Sequence, residues 1–584
     1  MLEPVDRAIE AQLLDRIDPE RMDEHLDAFE GLKRHSGTED EWTASEYVVD
    51  TLAESGVEAE LLEYEAYISE PVDAVVEVTA PTQRTIDEAI TTAFSAATPP
   101  SGVHGEVVRV EDLESLEPGS LAGKIAFATG LPRPEMVLAA EAAEAEAMIV
   151  ESVTEGQLHE MIVTPIWGTP SVDDVDQLPD LPVAEITTVD AAWLRDRCEQ
   201  GPVEASVTTE VTTELATLPC PVGYLPGTDS DRYMVVGNHV DSWYEGLTDN
   251  ATAMAATLEM ARVFAEDRPK RGLLFGFWSA HSFGRFAGSS WYADTHWIDL
   301  RENGVAYLHL DLNGLRGADS LWYQHMAELE AEQLDVLETV SELPLDPDGE
   351  KAEDVPMWEG SDRPGRAADQ SFWGAGLCSL FSGIRLEAGT QEGGPIGGGW
   401  WWHTPEDTRD KVDLDVLRQE TELYVALASR ICNSPVLPHD YAATVADFET
   451  ALDQIEAAAE GAVSFEDERE AIARASAAVA DANAVIDEQA ADDPAVAAAA
   501  EDLQVSLGNE LVPALYMERQ DYEHEPAFSH RLLPYLRVAE ELPSLTGRDR
   551  RFAETKIGRG RSKLVHRLDR AADKAASFVD AYGQ

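Results

Sequence analysis

Apolar positions follow different rhythms along the chain. Between about 214 and 436, short apolar runs alternate with longer stretches of helical period. RYMVVGNHV, RGLLFGFWSA, GVAYLHLDLNG and GLCSLFSGI are the runs, and NATAMAATLEMARVFAED is the clearest helix. Such runs predict strands, and their alternation with helices predicts an α/β sheet with helices on its faces. From about 86 to 213 the runs are short and separated by Gly and Pro. AGKIAFATG, AEAMIVES and LPVAEITT there predict a small β-rich domain with a few helices. Residues 1 to about 85 read as a helical lead followed by strands, with turn residues and an amphipathic helix in RHSGTEDEWTASEYVVDTLAESG. After about 437, Pro thins out and Ala, Glu and Asp dominate. ADFETALDQIEAAAEGAVSF and AIARASAAVADANAVIDEQAA are helical by propensity and period, so 437–584 is predicted to be a helical domain. There is no internal repeat and no long low-complexity linker.

Composition narrows the setting. A chain of 584 residues predicts several domains. Asp plus Glu number 113 against 42 Lys plus Arg, a formal charge of -71, yet 44% of residues are hydrophobic. Cores can therefore form, and the chain is not an acidic disordered one. So many like charges repel each other in dilute buffer and are tolerated when salt screens them. With only eight lysines, the composition resembles that of cytosolic proteins from salt-in halophiles. Nucleic acid and anionic membranes are poor partners for such a surface. A basic cluster between Arg548 and Arg570 is expected to pair with carboxylates of its own chain or of a partner subunit. Cys198, Cys220, Cys378 and Cys432 match no zinc or disulfide spacing and read as scattered, mostly buried thiols. The first residues predict an acidic amphipathic helix with no apolar signal core, and no run approaches the roughly 18 apolar residues of a membrane span. The expected location is the cytoplasm.

Candidate chemistry gathers at the ends of the predicted strands of 214–436. GNHVDSWYEGLTDN carries His239, Asp241 and Asp249, YLHLDLNG carries Asp311, and GGGWWWHTPEDT carries His403. Imidazole and carboxylate are the usual nitrogen and oxygen ligands of zinc, so this set predicts a metal site. Asp241 can orient His239 from behind. Asp249 precedes a helix, so it is either a ligand or an N-cap. Tyr307, His309 and Asp311 share one strand face, and His309 is expected to be buried. The Gly393–Gly399 run is expected to deliver Trp402 and His403 to the site, with Trp400, Trp401 and Trp402 as an aromatic wall.

On NHVDS, GLTDNATA, FWSAHSFGRFAGS, LDLNG and WHTPEDTRDKVD, the chain resembles a zinc exopeptidase family. That family contains bacterial di-zinc aminopeptidases, glutamate carboxypeptidase II and the transferrin receptor. The ten-residue separation of His239 and Asp249 suits its first motif. The resemblance implies a mixed sheet with flanking helices, an inserted β-rich protease-associated domain and a C-terminal helical domain. Residues 1–85 and 214–436 then form the peptidase domain, 86–213 the apical domain, and 437–584 a dimerisation-like domain that implies a homodimer. It further implies that His239, Asp249 and Asp311 hold one zinc. Asp249 bridges to a second zinc ligated by His403, and Asp241 orients His239.

The chain departs from the family at FWSAHSFG. The family has two consecutive glutamates there, a general base and a ligand of the second zinc, where this chain has His281 and Ser282. Serine is a poor replacement for a carboxylate, whereas His281 can serve as a ligand or as a base. One firm metal site and one weak or empty site are expected. Glu245 and Glu392 are spare carboxylates near the motifs, read as surface charge, and Arg363 and Arg385 could meet a substrate carboxylate or form ordinary ion pairs. The expected function is a metal-dependent exopeptidase that hydrolyses peptides or small amides with a metal-activated water, His281 and Asp241 being the catalytic candidates. The alternative is a non-catalytic, metal-binding scaffold resembling the transferrin receptor branch.

Overall fold

The structure is a computed structural model that describes residues 7–113, 115–345, 368–528 and 530–583. Arg363 lies outside them. Among the described residues, thirteen strands form one continuous sheet system. In chain order they are β1 Glu58–Ala80, β2 Arg84–Ile86, β3 Ala89–Thr91, β4 Val103–Arg109, β5 Lys124–Thr129, β6 Ala147–Glu151 and β7 Val183–Ile186. There follow β8 Glu204–Leu225, β9 Tyr233–His239, β10 Gly272–Trp278, β11 Gly304–His309, β12 Ser320–His325 and β13 Ser379–Arg385. Their spatial order is β12-β13-β11-β9-β10-β8-β4-β5-β6-β7-β3, with β1 paired to β8 and β2.

The site-bearing part is the parallel array β13, β11, β9 and β10, edged by antiparallel β12 and β8. β9, β10, β11 and β13 are buried along their whole length. Helices cover the array, which is why these strands read as unbroken apolar runs. Thr252–Glu266 and Leu414–Asn433 pack on one face, sharing a core with the first helices and the C-terminal helices. The other face packs against the end of β1, the β10–helix junction and parts of the 120–183 region.

β1 and β8, of 23 and 22 residues, pair antiparallel almost end to end, from Glu58 opposite Tyr224 to Ala80 opposite Glu204. At about 3.3 Å per residue such a ribbon is roughly 70 Å long. One end of β8 joins the parallel array through β10, at Val222 to Leu225. The other end joins β4, at Glu204 to Val207. The smaller lobe of β3 to β7 therefore hangs on the same two strands as the larger one, and β8 runs through residues 213 and 214 without a break. This lobe has its own apolar core, built around Ile125, Phe127, Ile149 and Ile186.

Residues 441–582 are mainly four long helices, Tyr441–Ala458, Glu466–Gln489, Pro494–Tyr516 and Gly547–Tyr582. A buried ion pair fastens this region to the sheet: Arg271, fully buried before β10, meets Glu501 at 2.9 Å. Arg271 also donates to the carbonyls of Ile431 and Ser434. The basic cluster of the last helix pairs within the chain, Arg561 with Glu468, Arg567 with Glu510 and Asp521, and Arg570 with Glu510. All four cysteines are free thiols, three of them buried. Among the described residues, no helix is long and apolar enough to cross a membrane.

Two stability predictions follow from buried charge. Glu501→Ala leaves the Arg271 guanidinium buried without its anion and is expected to cost about 3–5 kcal/mol in urea unfolding at constant salt. Glu185, fully buried in β7, accepts the His159 amide, and burial pushes its carboxyl up to about 8. The folded chain then holds a proton that the unfolded chain releases above its ordinary value of 4.5. This group's penalty is absent below that pH, grows as pH rises to about 8, and is complete above it. Glu185→Gln is therefore expected to be near neutral at pH 4.5 and stabilising by about 2–4 kcal/mol at pH 9, read from urea midpoints.

Candidate metal centre

The site lies at the C-terminal ends of β9, β10 and β11, where an open α/β sheet presents its loops. His239 is the last residue of β9 and is buried. Its Nδ1–H donates to the main-chain carbonyl of Asp241 at 2.8 Å. The lone pair is left on Nε2, which faces Asp249 Oδ1 at 3.0 Å and Asp311 Oδ1 at 3.5 Å. A ring lone pair aimed at two carboxylates is repulsive unless a cation lies between them. Burial opposes charge on the ring, but Asp241, Asp249 and Asp311 together hold His239 well above the usual imidazole range.

Asp249 bridges. Its Oδ1 faces His239 and its Oδ2 faces His403 Nε2 at 3.1 Å. It stands in the turn Leu247–Ala251 ahead of the helix Thr252–Glu266, whose N-cap is Ala251. Its carboxylate thus serves the two histidines, and the N-cap alternative is not realised. The Asp249–Asn250 peptide is cis. Gly246 has φ +51°, and a Cβ there would lie 2.2 Å from the Asp249 carbonyl oxygen, so glycine allows the turn to close on itself.

His281 follows β10 and lies flat against His239, ring centroids 4.1 Å apart and planes 7° from parallel. Phe286 covers it at 3.9 Å. Burial and the neighbouring His239 push its imidazole down to about 3, so the ring is neutral. His239, His281 and Asp311 each offer a donor atom within 4.8 Å of the others. His239 Nε2, His281 Nδ1 and Asp311 Oδ1 are all buried without a hydrogen-bond partner. Three such atoms around one point suit a divalent cation with nitrogen and oxygen ligands. Ser282 is buried at the cavity wall, and its amide is held by Asp241.

Asp241 orients this centre differently from the expectation. The group that holds His239 is its main-chain carbonyl; the carboxylate is 3.6 Å from Nδ1. Asp241 Oδ1 accepts the His281 amide at 3.0 Å, and Oδ2 accepts the Ser282 amide at 2.9 Å and the Ser36 hydroxyl at 3.1 Å. It thereby fixes the turn that carries His281. His309 is buried as expected and also lies beside the centre, with Nε2 3.7 Å from Asp311 Oδ2 and Nδ1 sharing a 2.9 Å hydrogen bond with the Tyr307 hydroxyl.

The donors open into a cavity of about 130 Å³, walled by Trp243, Phe286, Leu312, Phe381 and Trp402. Of the three tryptophans, only Trp402 lines it. Trp401 is buried with its Nε1–H on Thr248, and Trp400 lines a separate outer cleft of about 1130 Å³. Glu392 lines that cleft too, and Glu245 accepts the Gly31 amide. Arg385 borders the cavity but donates to the carbonyls of Asp311 and Leu312. Backbone strain concentrates here: of eleven described non-glycine residues with positive φ, Tyr244, Ala280, Arg285, Phe286, Leu312 and His403 flank the site.

Several supporting residues carry no motif signal of their own. Arg34, fully buried, donates to the carbonyls of Val240, Glu245 and Gly246 and pins the loop after β9. Asp407 Oδ1 accepts the Thr248 amide and hydroxyl, and Oδ2 accepts the Asp249 amide. The segment that carries His403 thus also builds the turn that carries Asp249. Asp407 lies within the WHTPEDTRDKVD motif, but its role depends on a contact across 158 residues of sequence.

Residues 222–428 match the model of peptidase family M28. The matched segment runs from the end of β8 to the helix Leu414–Asn433 and contains every candidate donor. Aminopeptidase NAALADL1 of Mus musculus is 33% identical over 117 residues, 19% of this chain and 16% of that protein. The probable glutamate carboxypeptidase AMP1 of Arabidopsis thaliana is 25% identical over 350 residues, 48% and 50% of the two chains. The chain therefore spans half or less of the length of these relatives. Among solved structures, the zinc aminopeptidase of Bacillus subtilis aligns with a TM-score of 0.54 at 19% identity, over 73% of this chain and 98% of its own. The aminopeptidase from Aneurinibacillus sp. strain AM-1 aligns with a TM-score of 0.53 at 20% identity, over 72% and 96%. These likenesses establish the fold class, a mixed α/β sheet with flanking helices.

Asp407→Ala would strip three partners from the Thr248–Asp249 turn. It is expected to weaken zinc binding by roughly 10–100-fold, measured by competition with a chromogenic chelator.

Proposed function

We propose that the chain is a metal-dependent exopeptidase acting on peptides or small amides, with zinc as its metal. The observation that carries this reading is the set of buried, unpartnered donors, His239 Nε2, His281 Nδ1 and Asp311 Oδ1, beside a cavity in the M28 segment. His239, His281 and Asp311 hold the firm site, with Asp249 between it and a weaker position at His403. A zinc ion bound there would supply Lewis acidity, polarising the scissile carbonyl and acidifying a water.

The chain's own residues do the rest. Asp241 fixes both the His239 tautomer, through its carbonyl, and the His281 turn, through its carboxylate. The His281 ring, with Nδ1 buried and unpartnered, fits a ligand better than a base, because burial and the neighbouring His239 make it a weak proton acceptor. Trp243, Phe286 and Trp402 keep water from the reacting bond. The names of the relatives, an aminopeptidase and a probable glutamate carboxypeptidase, support hydrolysis at a chain end. With its charge of -71 and eight lysines, we propose that the protein works in concentrated salt in the cytoplasm, as a homodimer whose partner surface is the C-terminal helical region.

The deciding experiment combines metal analysis and turnover in high salt, on aminoacyl arylamides and on peptides with acidic C-termini. The expected result is one tightly held zinc per chain and hydrolysis that chelation abolishes and zinc restores. His281→Ala is expected to lower both zinc affinity and turnover by at least about 10-fold. Full metal loading with no turnover on a broad peptide panel would favour the scaffold reading, and two tightly held zincs would overturn the division into firm and weak sites.

A further inference from the structure

His403 is a candidate donor oriented from the smaller lobe. It sits at φ +57°, beyond the glycine run, with its ring stacked on Trp402 at 3.7 Å. Its Nδ1–H donates to the main-chain carbonyl of Glu160 at 2.5 Å, and the Glu160 amide donates back to the His403 carbonyl at 3.0 Å. Glu160 belongs to the segment that connects β6 and β7 in the smaller lobe. This contact decides which ring nitrogen is free: with Nδ1 as donor, the Nε2 lone pair points at Asp249.

The residue beside Glu160 holds the same loop. His159 is fully buried, and its Nδ1–H donates to the Trp402 carbonyl at 2.6 Å. Its Nε2 accepts the Thr154 hydroxyl at 2.7 Å, and its amide is taken by Glu185. The Glu160 carboxyl is held in turn by the Tyr244 hydroxyl at 2.8 Å, from the loop that carries Asp241 and Asp249. The segment is also pinned beyond the site, by Ala93 hydrogen bonds to Met161 and Val163 and by the Gly168 amide on the Arg285 carbonyl.

We propose that His159 and Glu160 are positioning residues for His403, so that the weaker, outer metal position is assembled by the smaller lobe while the inner donors hang from the strand ends and their own clamps. Among the described residues, no hydrogen bond joins the inner donors His239, His281 and Asp311 to the segment 152–182. Occupancy of the outer position is then linked to docking of the lobe on the sheet. This inference rests on the metal-centre reading above for its ligand, though not for its geometry.

The test is calorimetric zinc titration of the full-length, metal-free protein in high salt, with a crystal structure of each variant in the metal-free state. His159→Ala is expected to weaken the second zinc equivalent by roughly 10–100-fold and to leave the first within about threefold. It should also release His403 from its 3.1 Å approach to Asp249. His159→Asn, whose amide N–H can take the place of Nδ1–H on the Trp402 carbonyl, is expected to recover most of the loss. An equal shift of both equivalents, or an unmoved His403 ring in the His159→Ala crystal, would overturn the proposal. A wild-type chain that binds no zinc would defeat the proposed function, and the crystallographic arm would still decide the role of His159.

Discussion

One hydrogen bond organises the candidate centre. By donating Nδ1–H to the Asp241 carbonyl, His239 commits its Nε2 lone pair to a space already faced by Asp249 and Asp311. His403 repeats the device from the far side through the Glu160 carbonyl. Two lone pairs and two carboxylates converge, and low-dielectric surroundings magnify their repulsion. Such an arrangement is stable only around positive charge. Much of the surrounding structure keeps these groups from turning away. Arg34 clamps the loop after β9, Asp407 clamps the Asp249 turn, and Asp241 clamps the His281 turn. The left-handed residues around the cavity belong to the same constraint, because the chain must turn sharply at each strand end to aim its donor inward.

The β1–β8 ribbon is the mechanical counterpart of that centre. Continuous hydrogen bonding from Glu58 opposite Tyr224 to Ala80 opposite Glu204 fixes the register of both lobes with one pair of strands. Its middle stretch, between the two lobes, leaves apolar side chains exposed: Leu215 is 64% exposed and Val72 52%. The smaller lobe is therefore held by the ribbon at its root and by the His159–Glu160 contact at the site. A donor residue that depends on the second of these reports on how the lobe is seated.

The fold was legible in the sequence because its dominant signals are local. The buried strands appear as the unbroken runs ending in His239, Trp278 and His309, and the C-terminal helices appear in their period and composition. The ribbon was not legible as a unit, since its two strands lie about 130 residues apart and alternate polar with apolar positions only in part. The donors themselves were readable, each standing at a strand end or in a short motif. What escaped was the support. Asp407, Arg34, Ser36 and Glu160 act through contacts across 158 to 243 residues of sequence. A lone carboxylate among 113 gives no sign of such a partner. The role of Asp241 was half visible: its nearness to His239 could be read, but not that its carbonyl would make the contact and its carboxylate would serve His281.

His281 changes the charge balance of the centre as well as its ligand set. Asp249 and Asp311 are the carboxylates that face the converging nitrogens. Asp241 directs both oxygens to amides and a hydroxyl, and burial together with Asp241 pushes the nearby Glu41 carboxyl well above the usual range. The carboxylates that face the converging nitrogens directly are thus two, with Asp241 behind His239. One divalent cation is matched by these two carboxylates, whereas a second adds positive charge with no further facing anion, which is far costlier in a dry pocket than in water. A glutamate at the position of His281 or Ser282 would supply the missing anion, and a neutral imidazole does not. On this reasoning the same substitution that adds a nitrogen to the inner position starves the outer one. The outer position is then left to depend on how well the smaller lobe aims His403.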